Sequence, residues 1–295
     1  MTIKTIIQSS RLPFLILTPI CVLLGASVVI YEQKSIDLLL LTLVVIGGLS
    51  AHISVNTFNE YLDFKSGLDL ETKRTNFSGG SGALPKNPEG LKSVWLTAVV
   101  SLLITLLDGI YFISLYGLLI APIGLLGVVL IVTYTSWINK HPWLCLIAPG
   151  LGFGVLMVIG TQFVLVGEYY VLSLWISIIP FLLINNLLLL NQYPDIQADI
   201  NAGRRHFPIT YGVSASNKIY GLFVVLAMIV LIGYVLMGYL PILSLIVLAP
   251  ILLAFFPLYG AVKYRENIGN HPQFLGVNVA VTLLTPLLLA LSILI

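Results

Sequence analysis

The stretch Asn56-Thr-Phe-Asn-Glu-Tyr-Leu-Asp63 runs on through Gly67-Leu-Asp69 to Lys73 and Arg74, setting acids and amides at the end of an otherwise apolar segment. On a helix Asn56, Asn59, Glu60 and Asp63 fall at i, i+3, i+4 and i+7, so two carboxylates and two amides share one face within two turns. A second stretch, Asn191-Gln-Tyr-Pro-Asp195-Ile-Gln-Ala-Asp199, repeats the theme at i, i+4 and i+8 and continues to Arg204 and Arg205. Pro194 cannot donate to a helical ladder, so a kink or an end is expected near Asp195, freeing carbonyls beside the acids.

Clustered carboxylate and amide oxygens suit a hard divalent cation. Mg²⁺ in particular is held by one or two carboxylates, with waters and substrate phosphate completing the shell. Two such clusters could hold a diphosphate between them through bridging metals. Lys65, Lys73, Arg74, Arg204 and Arg205 flank the acids and could neutralise phosphate oxygens. The Ser78-Gly-Gly-Ser-Gly82 run adds flexible backbone donors, although a glycine run alone is a weak phosphate signal. Metal would stabilise a departing diphosphate while apolar helices below accommodate a lipid tail, which implies ionisation of an allylic diphosphate. Tyr61, Phe64, Tyr134, Tyr193 and Phe207 are the aromatic neighbours expected to shield the resulting cation.

The elements that position these residues belong in lipid. A chain that is 58% hydrophobic and 9% charged, with mean hydropathy +1.04 and repeated apolar runs, excludes a soluble core. The expected fold is all-α and polytopic, a single domain over residues 1–295 with nine spans at 13–31, 38–58, 93–113, 117–136, 143–166, 170–191, 217–237, 240–261 and 274–294. The acidic stretches end spans two and six, four helices apart, which suggests duplication of a four-helix unit with a ninth helix added. The two acid faces are then expected to meet across a central, pseudo-symmetric cavity. Cys21 and Cys145 lie in apolar surroundings and read as buried small hydrophobes.

Every Lys and Arg of the 14 except Lys34 falls on one side of these spans, which predicts that this side is cytoplasmic and that the N-terminus lies inside. Both acidic stretches are on that side. The bilayer is an expected partner, and nucleic acid is not.

Asn59-Glu-Tyr-Leu-Asp63 with Gly67-Leu-Asp69 resembles the first aspartate-rich motif of the UbiA superfamily of intramembrane prenyltransferases, and Asn191-Gln-Tyr-Pro-Asp195 through Asp199 and Gly203-Arg-Arg resembles the second. Arg11-Leu-Pro before the first span and Tyr134 through Lys140 after the fourth also resemble family positions near the active site. The resemblance implies Mg²⁺-dependent transfer of a polyprenyl group from its diphosphate to a small aromatic acceptor, in a bacterial or archaeal cell membrane, so a polyprenyl diphosphate and that acceptor are the small-molecule partners it implies. It implies that Asn59, Asp63 and Asp69 hold one metal, Asp195 and Asp199 the other, and Lys73, Arg74, Lys140, Arg204 and Arg205 the diphosphate. Arg11, Asn56, Tyr134 and Asn191 would contact the acceptor or shield the cation. The Gly-x-Asp ending of the first motif is most similar to the 1,4-dihydroxy-2-naphthoate polyprenyltransferases of menaquinone synthesis.

Other residues have plainer readings. His52, one turn before Asn56, either reaches an acceptor pocket or is a buried hydrogen-bonded histidine, and the second is the commoner case. Asn185 and Asn186 line a cavity or bond neighbouring helices. Asp108, toward the outer end of span three, is expected at the membrane interface. A cation-coupled transporter is the main rival function, but its acids should lie near the midplane rather than at helix ends.

Overall fold

The computed structural model describes residues 2–75 and 77–295. Its framework is a bundle of helices: α1 (Thr2–Ser9), α2 (Leu12–Tyr31), α3 (Leu38–Ser66), α4 (Leu91–Tyr116), α5 (Ala121–Thr133), α6 (Pro142–Val166), α7 (Val171–Asn191), α8 (Ile196–Asn201), α9 (Phe207–Leu236), α10 (Ile242–Asn270) and α11 (Pro272–Leu294). A helix closes its own backbone hydrogen bonds, which is what allows these apolar segments to cross hydrocarbon.

Among the described residues, eight helices are long and apolar enough to span a membrane. The fourth expected span, 117–136, contains the 13-residue α5 instead of a full-length helix, because Gly117 at φ 68 ends α4 and Pro122 fixes a new start. Two spans are longer than expected at the end that carries the motifs. Helix α3 continues to Ser66, and α9 begins at Phe207 with a break in helical geometry at Gly212.

Lipid tails are as apolar as leucine, so the helices hold together through close approach and polar contacts, not through hydrophobicity alone. At the α3–α4 seam the Ser54 hydroxyl donates to the Ala98 carbonyl at 2.9 Å, and the Thr105 hydroxyl donates to Gly47 at 3.3 Å. Between α6 and α7, Gly150 and Gly154 bring backbones together: a Cβ on Gly154 would lie 2.5 Å from the Phe181 nitrogen. This part of α6, Gly150–Leu156, is wound as a π-helix. Leu103, Leu107 and Ile110 of α4 remain exposed, as lipid-facing side chains should. Cys21 and Cys145 are buried free thiols, as expected. Asn185 and Asn186 serve the helix interfaces, with Asn185 accepting from the Gly150 N–H at 2.7 Å and Asn186 donating to the Tyr220 carbonyl at 3.0 Å.

Candidate active site

Helix α3 carries the first acidic face unbroken to its end. Glu60 is wholly buried and Asp63 nearly so. Gly67, at φ 84 with open space where a side chain would stand, stops the helix in a left-handed cap. The one-turn helix Leu68–Glu71 then folds Asp69 back beside the face. The second stretch behaves differently. Asn191 ends α7, a turn over 192–195 follows at Pro194, and Asp199 lies in the short α8. The expected stack of Asn191, Asp195 and Asp199 is therefore broken at the proline, and the Asp199 N–H still donates to the Asp195 carbonyl at 2.9 Å.

The two faces meet. The Arg204 guanidinium donates through Nη1 to Asp199 Oδ1 at 2.8 Å and through Nη2 to Asp63 Oδ1. The second Asp199 oxygen accepts from His206 Nε2 at 2.8 Å. Burial works against the Arg204 charge, yet the Asp63 and Asp199 carboxylates outweigh it and hold the guanidinium above its ordinary value.

The glycine run closes over both faces. Gly79, Gly80 and Gly82 all have positive φ, a shape that turns successive backbone N–H groups inward. The Gly79 N–H donates to Asp195 Oδ2 at 2.9 Å, and Ser81 donates from its backbone to Glu60 Oε2 at 3.1 Å and from its hydroxyl to Glu60 Oε1. Glu60 also faces Arg11 at 3.5 Å, and Arg11 donates to Asn59 Oδ1 at 3.1 Å. Arg11 itself sits at φ 53 between α1 and α2. Glycine, weak as a sequence signal, here ties the first motif to the second.

Beneath this roof lies a cavity of about 750 Å³, within the range of ligand sites. It is lined by α2 to α8 with Val279 and Leu283 of α11; α9 and α10 contribute no wall. The expected cavity among the helices is thus present, its wall drawn, among the described residues, from α2 to α8 and from α11. Asn56, Asn59, Asp63, Asp69, Asp195, Asp199, Arg204, Arg11, Tyr134 and Asn191 all line it. Asn56 donates to the Ser10 carbonyl at 3.1 Å and Asn59 to the Thr135 hydroxyl at 3.2 Å.

Four expected diphosphate contacts are not at the wall. Lys73 is exposed on a loop and Lys140 is exposed at the end of the short 3-10 helix Ile138–Lys140. Arg205 is exposed because its backbone N–H is fixed to the Asn139 carbonyl at 3.0 Å, leaving Arg204 as the inward member of the pair. Arg74 stands behind Asp69, donating to its carbonyl at 2.7 Å. Of the aromatics expected around the cation, only Tyr134 lines the cavity. Tyr193 is buried and donates to Asn217, and Phe207 packs on Trp143 and Tyr211. Phe14 and Phe153, apolar residues in apolar runs, and Phe77, in the polar loop just before the glycine run, line the chamber instead. Asp108 faces the chamber and not the interface, because Gly47 leaves room for its carboxylate: a Cβ there would come within 2.6 Å of Oδ2.

Asp69 Oδ2, Asp195 Oδ1, Asn191 Oδ1 and Asn139 Oδ1 are buried at this wall with no hydrogen-bond partner among the described residues. Each is a lone-pair donor, and leaving such an atom unpaired is costly. Burial first, then the Glu60 and Asp63 charges, push the Asp69 carboxyl up to about 7. Burial and the neighbouring Asp199 likewise raise Asp195 to about 7, against the pull of the Gly79 N–H. Oxygen donors held in this way fit Mg²⁺. Among the described residues no three His, Cys, Asp or Glu side chains form a ready cage.

A model of the UbiA prenyltransferase family matches residues 18–292. The chain is 29% identical over 215 residues to the 1,4-dihydroxy-2-naphthoate octaprenyltransferase of Bacillus subtilis (strain 168), covering 72% of this chain and 67% of that one. Its fold is similar to that of a UbiA homolog from Aeropyrum pernix K1, with a TM-score of 0.72 at 17% identity over 95% of this chain and 97% of that one. It is also similar to a UbiA homolog from Archaeoglobus fulgidus bound to DMAPP and Mg²⁺, with a TM-score of 0.64 at 16% identity over 94% of this chain and 99% of that one.

Proposed function

Because this chain belongs to the UbiA prenyltransferase family, an integral multi-pass membrane prenyltransferase, we propose that it transfers a polyprenyl group from its diphosphate to 1,4-dihydroxy-2-naphthoate. The observation that carries this reading is the meeting of both acidic stretches, through Arg204, at the mouth of an otherwise apolar chamber. The name of the Bacillus relative supports the acceptor, and the DMAPP and Mg²⁺ in the Archaeoglobus neighbour support the donor and metal. The distribution of Lys and Arg supports a mouth that opens to the cytoplasm.

In this reading Asn59, Asp63 and Asp69 hold one Mg²⁺ and Asp195 and Asp199 the other, with Asn191 Oδ1 a further oxygen at the same wall. Mg²⁺, when bound, neutralises charge that develops on the leaving diphosphate. Arg204 and Arg11 reach the cavity and present donors to the phosphate oxygens, while the glycine roof excludes water. The C1–O bond of the donor breaks and its electron pair leaves with the diphosphate. A π pair of the acceptor ring forms the new C–C bond, and the ring regains aromaticity by losing a proton, or its carboxyl as CO₂. Tyr134, Phe14, Phe77 and Phe153 supply aromatic walls against the cationic carbon.

The deciding experiment measures diphosphate release by purified protein in detergent with geranylgeranyl diphosphate and Mg²⁺, offering the naphthoate, 4-hydroxybenzoate or no acceptor. Prenylation of the naphthoate alone is the expected result. Prenylation of the benzoate alone moves the assignment to another acceptor.

A further inference from the structure

Most polar groups on the chamber wall are already engaged. On the membrane side of Asn56, the Thr105 hydroxyl donates to Ser101 or Gly47 and the Thr161 hydroxyl to Met157. The Asn56 amide is held by Ser10. His52 differs from all of these. It is buried, it lines the chamber, and its Nδ1 lies 2.9 Å from the Thr18 hydroxyl of α2, whereas its Nε2 has no hydrogen-bond partner among the described residues.

The Thr18 contact fixes which nitrogen carries the proton. Thr18 is completely buried and its hydroxyl makes no other hydrogen bond among the described residues. If Nδ1–H donated to Thr18, the threonine proton would be left without an acceptor in a dry site, a costly arrangement. Donation from Thr18 to Nδ1 satisfies the hydroxyl and leaves the hydrogen on Nε2. The ring is also held from the side by Phe153, with centroids 4.4 Å apart and planes at 59°. An N–H donor of fixed orientation therefore lines the same chamber as the apolar Phe14, Leu17, Val55 and Met157, more than one helical turn before the acids of α3.

We infer that His52 is a specificity-determining residue that donates from Nε2 to an oxygen substituent of the aromatic acceptor. This rests on the prenyl-transfer reading above. The prenyl tail carries no acceptor atom for such a bond, so only the ring substrate can use it. His52 lies one helical turn, about 6 Å, below Asn56 and about 10 Å below Asn59 along α3. An arene whose reacting carbon sits under the diphosphate extends toward that depth with the oxygen on its far side. An unpaired N–H in an apolar wall rejects rings that lack such an oxygen more strongly than it rewards those that have one.

The test compares wild type, His52→Leu and His52→Gln, with geranylgeranyl diphosphate and Mg²⁺ and with either 1,4-dihydroxy-2-naphthoate or the analogues that lack one ring oxygen, 1-hydroxy-2-naphthoate and 4-hydroxy-2-naphthoate, as acceptor. His52→Leu is expected to raise the acceptor KM about tenfold or more while leaving the KM of the prenyl diphosphate within about twofold, and His52→Gln, which keeps an N–H, to recover most of the loss. Removing the far oxygen should cost the wild type a similar factor in acceptor KM and cost His52→Leu little more, since the same bond is already gone. The comparison of analogues on the wild type stands even if a variant folds poorly. Equal changes in both KM values, no rescue by Gln, or an acceptor KM indifferent to the loss of either oxygen overturns the role of His52. A wild type that prenylates no arene overturns this inference and the underlying reading together, whereas a wild type that works normally beside an unaffected His52→Leu overturns this inference alone.

Discussion

Asp63 and Asp199 share one guanidinium, each giving an oxygen to a different nitrogen of Arg204. They come from the two separate acidic stretches, so this bridge is the point at which the halves of the site become one object. Removing Arg204 leaves two buried carboxylates facing each other. Arg204→Ala is expected to cost about 3 kcal/mol or more in stability and to lower kcat about 100-fold or more. Arg204→Lys keeps the charge but not the fork and should recover stability better than rate. Thermal melting in detergent and steady-state rates would check both, and a fully active Arg204→Ala would remove Arg204 from the site.

Asp63→Asn and Asp195→Asn separate chemistry from folding. Each keeps the size of the side chain and removes the charge a hard cation requires. Turnover should fall to background in both while the helical spectrum and the elution profile in detergent stay those of wild type. Retained activity in both variants would sink the metal-bridge mechanism.

Acidity should control the metal. The Asp69 and Asp195 carboxyls are raised to about 7, and Mg²⁺ binds only their ionised forms, so its apparent affinity is expected to climb from pH 6 to pH 8 with release of protons. The same shifts run the other way for the protein stripped with EDTA. A carboxyl whose folded pKa exceeds the unfolded one favours the fold in its protonated form, so stability falls as pH rises from about 4 toward 7. Titration calorimetry in two buffers of different ionisation heat reads the protons, and an affinity that is flat across this window contradicts the assignment.

Glu60 does structural work that its motif position conceals. It holds Ser81 by two hydrogen bonds and faces Arg11. Glu60→Gln places an amide donor where an acceptor is needed, so the 77–82 loop should be cleaved about tenfold faster by protease while the remainder of the chain keeps its protection.

How much of this was legible beforehand depends on what each residue type announces. The helices could be read because long apolar runs have one structural solution in lipid, and the wall acids because charge at a helix end requires a reason. The shortness of α5 was not, since Gly117 and Pro122 lie inside a run whose hydropathy never drops. Nor could spacing distinguish Arg204 from Arg205: the choice is made by a backbone bond from Arg205 to Asn139, 66 positions away in the chain. Phe14 and Phe153 gave no sign because aromatic residues in membrane helices look alike until their neighbours are known, and Phe77 gave none because its loop sequence does not say which way the ring turns.

Gly154→Ala is expected to lower the melting temperature, since its Cβ would strike the Phe181 backbone, where neither partner can yield, at a typical overpacking cost of about 1–3 kcal/mol. Gly233→Ala, with nothing within 4 Å of the new carbon, serves as the control and should be neutral or slightly stabilising. A fall in both would point to a general intolerance of α6 and α9 rather than to a close crossing.

The winding of Gly150–Leu156 gives this crossing a second meaning. A π-turn advances about 80° per residue in place of about 100°, because its bonds close one residue further along. Three steps from Gly150 to Phe153 therefore fall about 60° short of where an α-turn would carry them. The glycines keep their seat on α7 while the phenylalanine swings away from that seam and comes to rest on His52. The extra residue thus acts as a vernier: it adds almost nothing to the length of α6 and resets the bearing of one ring. Deleting one residue between Gly150 and Gly154 would restore regular winding and turn that ring back toward α7, so the wall of this chamber is set by helical phase as well as by residue identity.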